Sequence, residues 1–220
     1  MATHSIDGGG GVRRRGHLGS GLRKLPLQER SKAMIARVLD TARELVEEIG
    51  YEAVAGSPTL LLEQSGVSRG SFYAFFESPE RVLDELSCET LENSLESLRH
   101  ALAHRPGDQW AEICDVLIDL YVAEHRTPLI RELWVRQNLT QRVRALDELF
   151  IDDMAELVWI EFKKHSPLFE DLTTLQCRAA LHALERLMQF AFLHDQQGDS
   201  AIVTEAEQML LRYFAGHSGS

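Results

Sequence analysis

The sequence predicts an all-α protein of about nine helices. From Ser31 onward, apolar residues recur three and four positions apart, which is the spacing of amphipathic helices. Most of the six prolines fit helix starts or connections. No stretch alternates apolar and polar residues as a half-buried strand would. With 220 residues, the chain is long enough for one large or two small domains.

Composition changes sharply along the chain. Residues 1–28 are rich in glycine and basic residues without apolar periodicity, so we expect a disordered basic arm. Residues 1–43 hold nine Lys and Arg against three Asp and Glu, while the whole chain carries a net charge of −11. A nucleic-acid contact would therefore belong to the basic N-terminal part. The alternative is a solvated tail beside ordinary helix surfaces.

The absence of certain sequence patterns indicates the cellular compartment of the protein. It has neither an apolar signal segment nor an apolar run of about 18 residues, so we expect no membrane span. Cys88, Cys114 and Cys177 lie far apart without metal-ligand spacing, which indicates reduced thiols in a cytoplasmic protein.

The helix boundaries come from caps and breakers. Gly50 ends the first helix, Ser57-Pro58 begins a short one, and Gly66 ends it. Ser68 caps the next helix, and Ser78-Pro79 begins a long one. The predicted helices span about 31–49, 58–65, 69–75, 79–104, 108–124, 128–137, 140–165, 171–196 and 200–214.

The second and third of these helices predict a helix-turn-helix. "PTLLLEQS" is its first helix, "GVS" its turn and "SRGSFYAFF" its second helix. The second helix of such a unit enters the major groove with its N-terminal residues against base edges. Ser68, Gly70 and Ser71 are small enough for close approach, and Arg69 reaches a guanine edge or a phosphate. Phe72 and Phe76, four residues apart, should pack inward.

The segments "VLDTARELVEEIGYEAV" and "LLEQSGVSRGSFYAFFESPERVLDEL" resemble the TetR family of bacterial transcriptional repressors. The resemblance covers about residues 37–86. It implies a homodimeric repressor with residues 29–78 as the DNA-binding domain and 79–215 as the effector-binding and dimerisation domain. Its partners would be double-stranded operator DNA and a small-molecule effector. The DNA contacts it implies, together with the small recognition residues, are Ser57, Thr59, Ser68, Arg69, Gly70, Ser71 and Tyr73.

Two features depart from the family pattern. The first helix of the helix-turn-helix reads "LLL", where the family usually has a small residue at Leu62 and often an acidic one at Leu60. Family members commonly carry a phosphate-binding lysine where this chain has Pro79. Arg81 or the basic arm could replace that contact. We therefore include Arg13, Arg14 and Arg15 among the predicted DNA contacts, as homeodomain arms enter the minor groove.

The effector site should lie between helices of about residues 87–165. Aromatic residues there favour an apolar or aromatic effector, and a few polar groups would orient it. The predicted ligand contacts are Trp110, Tyr121, His125, Arg131, Trp134, Asn138 and Phe162. Each of these residues could equally belong to the core or the surface.

The helix predicted at 171–196 is apolar on more than one face, so it should be buried on more than one face. One face would pack in the core and the other would face a second copy of the chain. The predicted dimer contacts are Leu175, Ala179, Ala183, Leu187 and Phe190. A central core helix is the alternative.

Catalytic and metal-binding patterns are weak. His100 and His104 lie one turn apart without a third ligand nearby, and His182 and Glu185 lack the second histidine of a zinc protease motif. No phosphate-binding glycine loop or serine-nucleophile motif occurs. The sequence predicts neither a cofactor nor a metal. An all-α enzyme and a protein-interaction adaptor are the competing classes.

Overall fold

The computed structural model describes residues 21–105 and 107–219 as a set of helices without strands. The elements are α1 (Glu29–Ile49), α2 (Tyr51–Ala55), α3 (Pro58–Ser65), α4 (Arg69–Phe75), α5 (Pro79–Ala103), α6 (Ala111–His125), α7 (Pro128–Ile130), a π-helical turn (Arg131–Val135), α8 (Gln141–Lys163), α9 (Thr174–Phe192) and α10 (Ser200–Ala215). The predicted all-α class is confirmed.

Two elements differ from the prediction. Gly50 does not lead into a loop: with φ +86° it turns the chain, and the short helix α2 follows at once. The predicted helix 128–137 is a single α-turn that runs into the π-helical turn Arg131–Val135. Such wide turns are rare and concentrate at functional sites.

The N-terminal head, residues 29–78, is built around one face of α1. Val38 and Ala42 of that face are fully buried, together with Leu61 of α3 and Phe72 of α4. The apolar stripe of α1 thus holds both short helices in place. We expect burial of each large side chain to contribute about 1.5–3 kcal/mol.

The C-terminal body packs α8 against α5 and α9, and α10 against α6 and α9. Phe162 lies at its centre, with ring centroids 4.8 Å from Phe169 and 4.3 Å from Phe214. No helix within the described part of the chain is both long and apolar enough to cross a membrane.

The described part of the expected disordered arm, residues 21–28, is attached to the head. Arg23 donates its backbone N–H to the carbonyl of Phe75 at 2.7 Å, and Leu22 pairs with Phe76 in an isolated β-bridge. The backbone N–H of Gly21 donates to Glu85 at 2.8 Å. The free backbone groups at the end of α4 explain this docking, which residue composition alone did not indicate.

Candidate nucleic-acid interface and effector cavity

The N-terminus of α4 presents a small, polar and exposed surface. Ser68 caps the helix: its Oγ accepts from the Ser71 backbone N–H at 3.3 Å and donates to the Ser71 hydroxyl at 2.9 Å. Arg69 and Gly70 follow on the exposed side, and a Cβ at Gly70 would meet nothing within 4 Å. A DNA backbone or base edge can therefore approach this end of α4 closely.

The opposite side of α4 fixes its orientation. Phe72 and Phe76 are fully buried, as the spacing predicted, and Val67 of the turn is buried beside them. Gly66 adopts φ +64°, a left-handed conformation that ends α3 with little strain. Tyr73 lies on the outer side with 40% of its surface exposed. One face of α4 thus packs in the core, and the opposite face is exposed to solvent.

The start of α3 adds a second exposed edge. Ser57 caps α3 by accepting from the Leu60 backbone N–H at 3.3 Å, and Thr59 in the first turn is exposed. The unusual "LLL" segment is accommodated inside the head, since Leu61 and Leu62 are buried and Leu60 is half-buried. The apolar departure from the family pattern therefore affects the core and leaves the outer edge polar.

Arg81, a suggested replacement for the missing lysine, is engaged elsewhere. Its guanidinium donates to Asp84 Oδ2 at 2.6 Å, and the Asp84 carboxylate is almost fully buried. Asp84 Oδ1 accepts from the Thr140 hydroxyl at 2.6 Å, and Thr140 is the N-cap of α8. Arg81 thus belongs to a bond between the start of α5 and the start of α8. Arg23 and Lys24 are exposed and lie at the C-terminal end of α4.

The body contains two adjacent cavities that share Trp134 and Glu185. The inner chamber has a volume of about 50 Å³, and the outer cavity about 330 Å³. The outer volume falls in the range of small-molecule sites. The inner chamber is lined by Thr90, Leu91, Ser94, Tyr121, Glu124, His125, Ile130, Trp134, Ile151, Met154 and Glu185. The outer cavity is lined by Trp134, Gln137, Leu139, Arg144, Asp147, Glu148, His182, Glu185, Arg186 and Gln189.

Burial shifts the ionisation of the carboxyl groups that line these cavities. Burial and, to a lesser degree, the nearby Asp147 and Glu148 carboxylates together raise the pKa of Glu185 to about 7. Burial also raises the pKa of Glu124 and of Asp147. His125 shows the converse effect, because burial lowers its pKa to about 4 and leaves its ring neutral near pH 7.

The structure brings together three of the predicted ligand contacts, Tyr121, His125 and Trp134. The other four lie outside both cavity linings. Trp110 and Phe162 belong to the aromatic cluster of the body. Arg131 donates to the carbonyl of Arg126 at the end of α6, and Asn138 donates to the carbonyl of Glu132.

Sequence reasoning missed the acidic residues of the cavities. Asp147 lies four residues from the buried Val143 and Ile151, so it occupies the core-facing side of α8. Glu185 likewise lies between the buried Leu181 and Met188 on α9. A charged residue in register with buried neighbours was the signal that could have revealed them.

A second bond joins the head to the cavity wall. Glu132, in the π-helical turn, accepts from the backbone N–H of Tyr51 at 3.1 Å. Trp134 of the same turn lines both cavities and donates its indole N–H to Asp147 at 3.2 Å. A shift of this turn would therefore be felt at the junction between α1 and α2.

The outer face of α9 carries an exposed apolar stripe. Leu175 is 71% exposed and Phe190 57% exposed. Ala179 and Ala183 between them are exposed, and Leu187 is half-buried. These are the predicted dimer contacts, and their spacing places them along one side of the helix.

The chain thus combines a helix-turn-helix head with a helical body that carries a ligand-sized cavity, an architecture that fits a DNA-binding transcriptional regulator. Residues 109–214 match the family described as "Tetracyclin repressor-like, C-terminal domain". The helical body of this chain is therefore similar to the C-terminal domain of tetracycline-repressor-like proteins.

Solved structures share the fold over most of this chain. A TetR-family transcriptional regulator from Streptomyces coelicolor superposes with a TM-score of 0.64 at 22% identity, covering 83% of this chain and 98% of that one. A TetR-family transcriptional regulator from Pectobacterium atrosepticum gives a TM-score of 0.68 at 14% identity, covering 89% and 99%. No curated protein sequence matches the chain significantly.

Proposed function

We propose that the protein is a cytoplasmic transcriptional repressor that binds a palindromic operator as a homodimer and leaves it when a small inducer enters the body. The observation that carries the proposal is the N-terminus of α4, where Arg69 stands among small exposed residues next to an unobstructed Gly70. Two such helices in a dimer would read half-sites about 34–36 Å apart.

The specific contacts divide into two kinds. Arg69 would read a guanine edge or bind a phosphate, and the neighbouring Ser68, Gly70 and Ser71 would allow close approach. Tyr73, Thr59 and Ser57 would contact the DNA backbone and set the register of the head.

The basic arm supplies a further contact in this proposal. Arg13, Arg14 and Arg15 lie outside the described residues. They precede Gly21, where the described chain begins, and the backbone N–H of Gly21 donates to Glu85 of α5. Removing residues 1–20 should lower the salt dependence of DNA binding, and an unchanged slope would remove the arm from the interface.

Release would pass through the two bonds between head and body. A ligand against Trp134 would shift the π-helical turn, and Glu132 would transmit the shift to the Tyr51 backbone. Asp84 and Thr140 form the parallel connection along α5. A coupling of about 1–3 kcal/mol changes operator affinity by about 5- to 150-fold.

The first experiment is a fluorescence anisotropy titration of the purified protein against DNA from upstream of its own gene, over a salt series. We expect tight binding that weakens steeply with salt and is lost with scrambled DNA. Sequence-independent binding, or none to any fragment of the surrounding genome, would contradict the proposal and favour an adaptor that uses the helix-turn-helix for protein contacts.

A further inference from the structure

Three carboxylates that line the two cavities form no ion pair among the described residues. Within residues 21–105 and 107–219, neither Glu185 nor Asp147 takes part in an ion pair, and the same holds for Glu124. Each accepts a hydrogen bond from a neutral donor: Gln189 for Glu185, Trp134 for Asp147 and Ser94 for Glu124. A partly buried carboxylate without a cation is costly, so such groups are expected where a ligand supplies the charge.

The positive groups of the outer cavity are engaged or exposed. Arg144 lies on the surface and donates to Gln137 and to the carbonyl of Leu139. Arg186 is exposed and donates to Gln189 at 3.0 Å. His182 stands 3.5 Å from Glu148, which also binds Arg178. Arg186 and Arg144 lower the pKa of Glu185 and of Asp147, respectively, only as minor contributions, which burial outweighs, so neither carboxyl has a cation in direct contact.

A buried hydrogen-bond acceptor in the inner chamber, His125 Nε2, indicates a ligand that donates hydrogen bonds. His125 Nδ1 lies 2.8 Å from the carbonyl of Tyr121, so this nitrogen carries the proton and donates. The other ring nitrogen, Nε2, is then a bare acceptor, and it is buried without a partner among the described residues. His125 is nearly fully buried and lines the inner chamber beside Glu124 and Glu185. A ligand in the inner chamber would therefore satisfy this nitrogen by donating a hydrogen bond to it.

Aromatic walls complete the site. Trp134 lies between the two cavities, and Tyr121 lines the inner one with its ring stacked on that of His125 at 5.9 Å between centroids. An aromatic face attracts a cation within about 6 Å and also packs against an apolar body. The inner chamber has room only for a small head group, whereas the outer cavity accommodates the remainder of a ligand.

From these contacts we infer that the inducer is a small organic cation, a protonated amine with an apolar or aromatic body. The ammonium group binds Glu185 at the wall between the cavities and donates to His125 Nε2, while Trp134 packs against the apolar body. This inference rests on the proposed function, since it names the ligand of the regulatory cavity.

The test compares three probes of similar skeleton and different charge: 2-phenylethylammonium, 2-phenylethanol and phenylacetate. Each is titrated into the purified full chain by calorimetry, without DNA. We expect the ammonium to bind about 10- to 100-fold more tightly than the alcohol, and phenylacetate not to bind, because charge-assisted hydrogen bonds are lost in the alcohol and reversed in the acid. Equal binding of the three probes, or no binding of the ammonium at millimolar concentration, overturns the inference.

Two variants locate the binding. Glu185→Gln should weaken ammonium binding about tenfold or more and leave the alcohol unaffected. Glu205→Gln makes the same change in net charge on the exposed surface of α10 and should leave both unchanged. An unaltered ammonium affinity in Glu185→Gln would overturn the assignment. DNA titration of the ligand-free protein separates the two proposals, because its failure rejects the regulator and its success does not depend on the inducer.

Discussion

The head and the body present their functional groups in opposite environments. At the tip of α4, Arg69 is exposed and the two serine hydroxyls are satisfied by the helix end itself. In the body, Glu185 and Asp147 are largely withdrawn from water, and neither forms an ion pair among the described residues. Charges in water are screened by salt, whereas buried charges respond to desolvation and protonation. Salt should therefore govern the head, and pH and ligand charge should govern the body.

The largest effect should come from the α9 stripe, because the proposed repressor binds its operator as a dimer. We expect the double variant Leu175→Glu, Phe190→Glu to be monomeric and to bind operator at least about 100-fold more weakly, since each buried Leu or Phe contributes about 1.5–3 kcal/mol. Analytical ultracentrifugation measures the oligomeric state. Ile160→Glu, at a residue of α8 that is 42% exposed and outside the stripe, is the control. A double variant that stays dimeric would show that the dimer interface lies elsewhere.

Arg69→Ala sharpens the comparison on the side of the head. We expect operator affinity to fall by about 1–3 kcal/mol, with relaxed specificity at one base pair or a salt slope lower by about one. Anisotropy titrations over a salt series measure both quantities. Arg212→Ala removes an exposed arginine from α10 and should change neither. Wild-type affinity in Arg69→Ala would exclude Arg69 from DNA recognition.

Glu185→Gln tests the body through its pH dependence. The folded-state pKa of Glu185 is raised to about 7, above its ordinary value of 4.5, so the folded protein retains a proton that the unfolded chain has released. This contribution to stability is present at low pH and is lost as pH rises through about 7. The groups around Glu185 are Asp147, Glu148, Gln189 and Arg186.

The variant lacks that titration. Its free energy of unfolding, relative to wild type, should therefore increase by roughly 1–3 kcal/mol between about pH 5 and pH 8. Denaturant unfolding at several pH values measures the difference. Glu205→Gln should show no such trend, and a flat difference for Glu185→Gln would mean that this carboxyl is not desolvated.

The smallest effect should be seen in Glu132→Ala, which cuts one bond between the two regions. We expect operator affinity without ligand to remain near wild type, while the change in affinity caused by ligand falls by about 0.5–2 kcal/mol. Glu52→Ala, on the exposed surface of α2, is the matched control. If Glu132→Ala keeps the full ligand response, the Asp84–Thr140 hydrogen bond connects the head and the body.

The two regions also differ in how far sequence could predict them. The head follows from local rules: Ser57, Gly66 and Ser68 mark helix ends, and the spacing of Phe72 and Phe76 gives the buried face. The docking of residues 21–23 was not predicted, because it depends on neighbours distant in sequence. The helix α2 was not predicted, because it depends on a glycine that redirects the chain.

The cavity depends on contacts between helices far apart in sequence. Tyr121, His125 and Trp134 were predicted as aromatic or polar groups of the right region, and the structure places them together. Trp110 and Phe162 have the same composition but lie in the aromatic cluster of the body. Periodicity indicates which face of a helix is buried, and it does not distinguish a packed interior from an open one.

Gly50 bears on how regulators of this kind can be recombined. With φ +86°, it brings the chain so close to Glu132 that a Cβ at position 50 would lie 3.0 Å from Glu132 Oε1. In a hybrid regulator, residues 29–78 would be replaced by the DNA-binding head of another protein. That head must therefore have glycine at the position equivalent to 50 and a backbone N–H that can donate at the next residue. Heads that lack this pair should bind their own operators and respond more weakly to this body's ligand, because only the Asp84–Thr140 bond would remain as a connection.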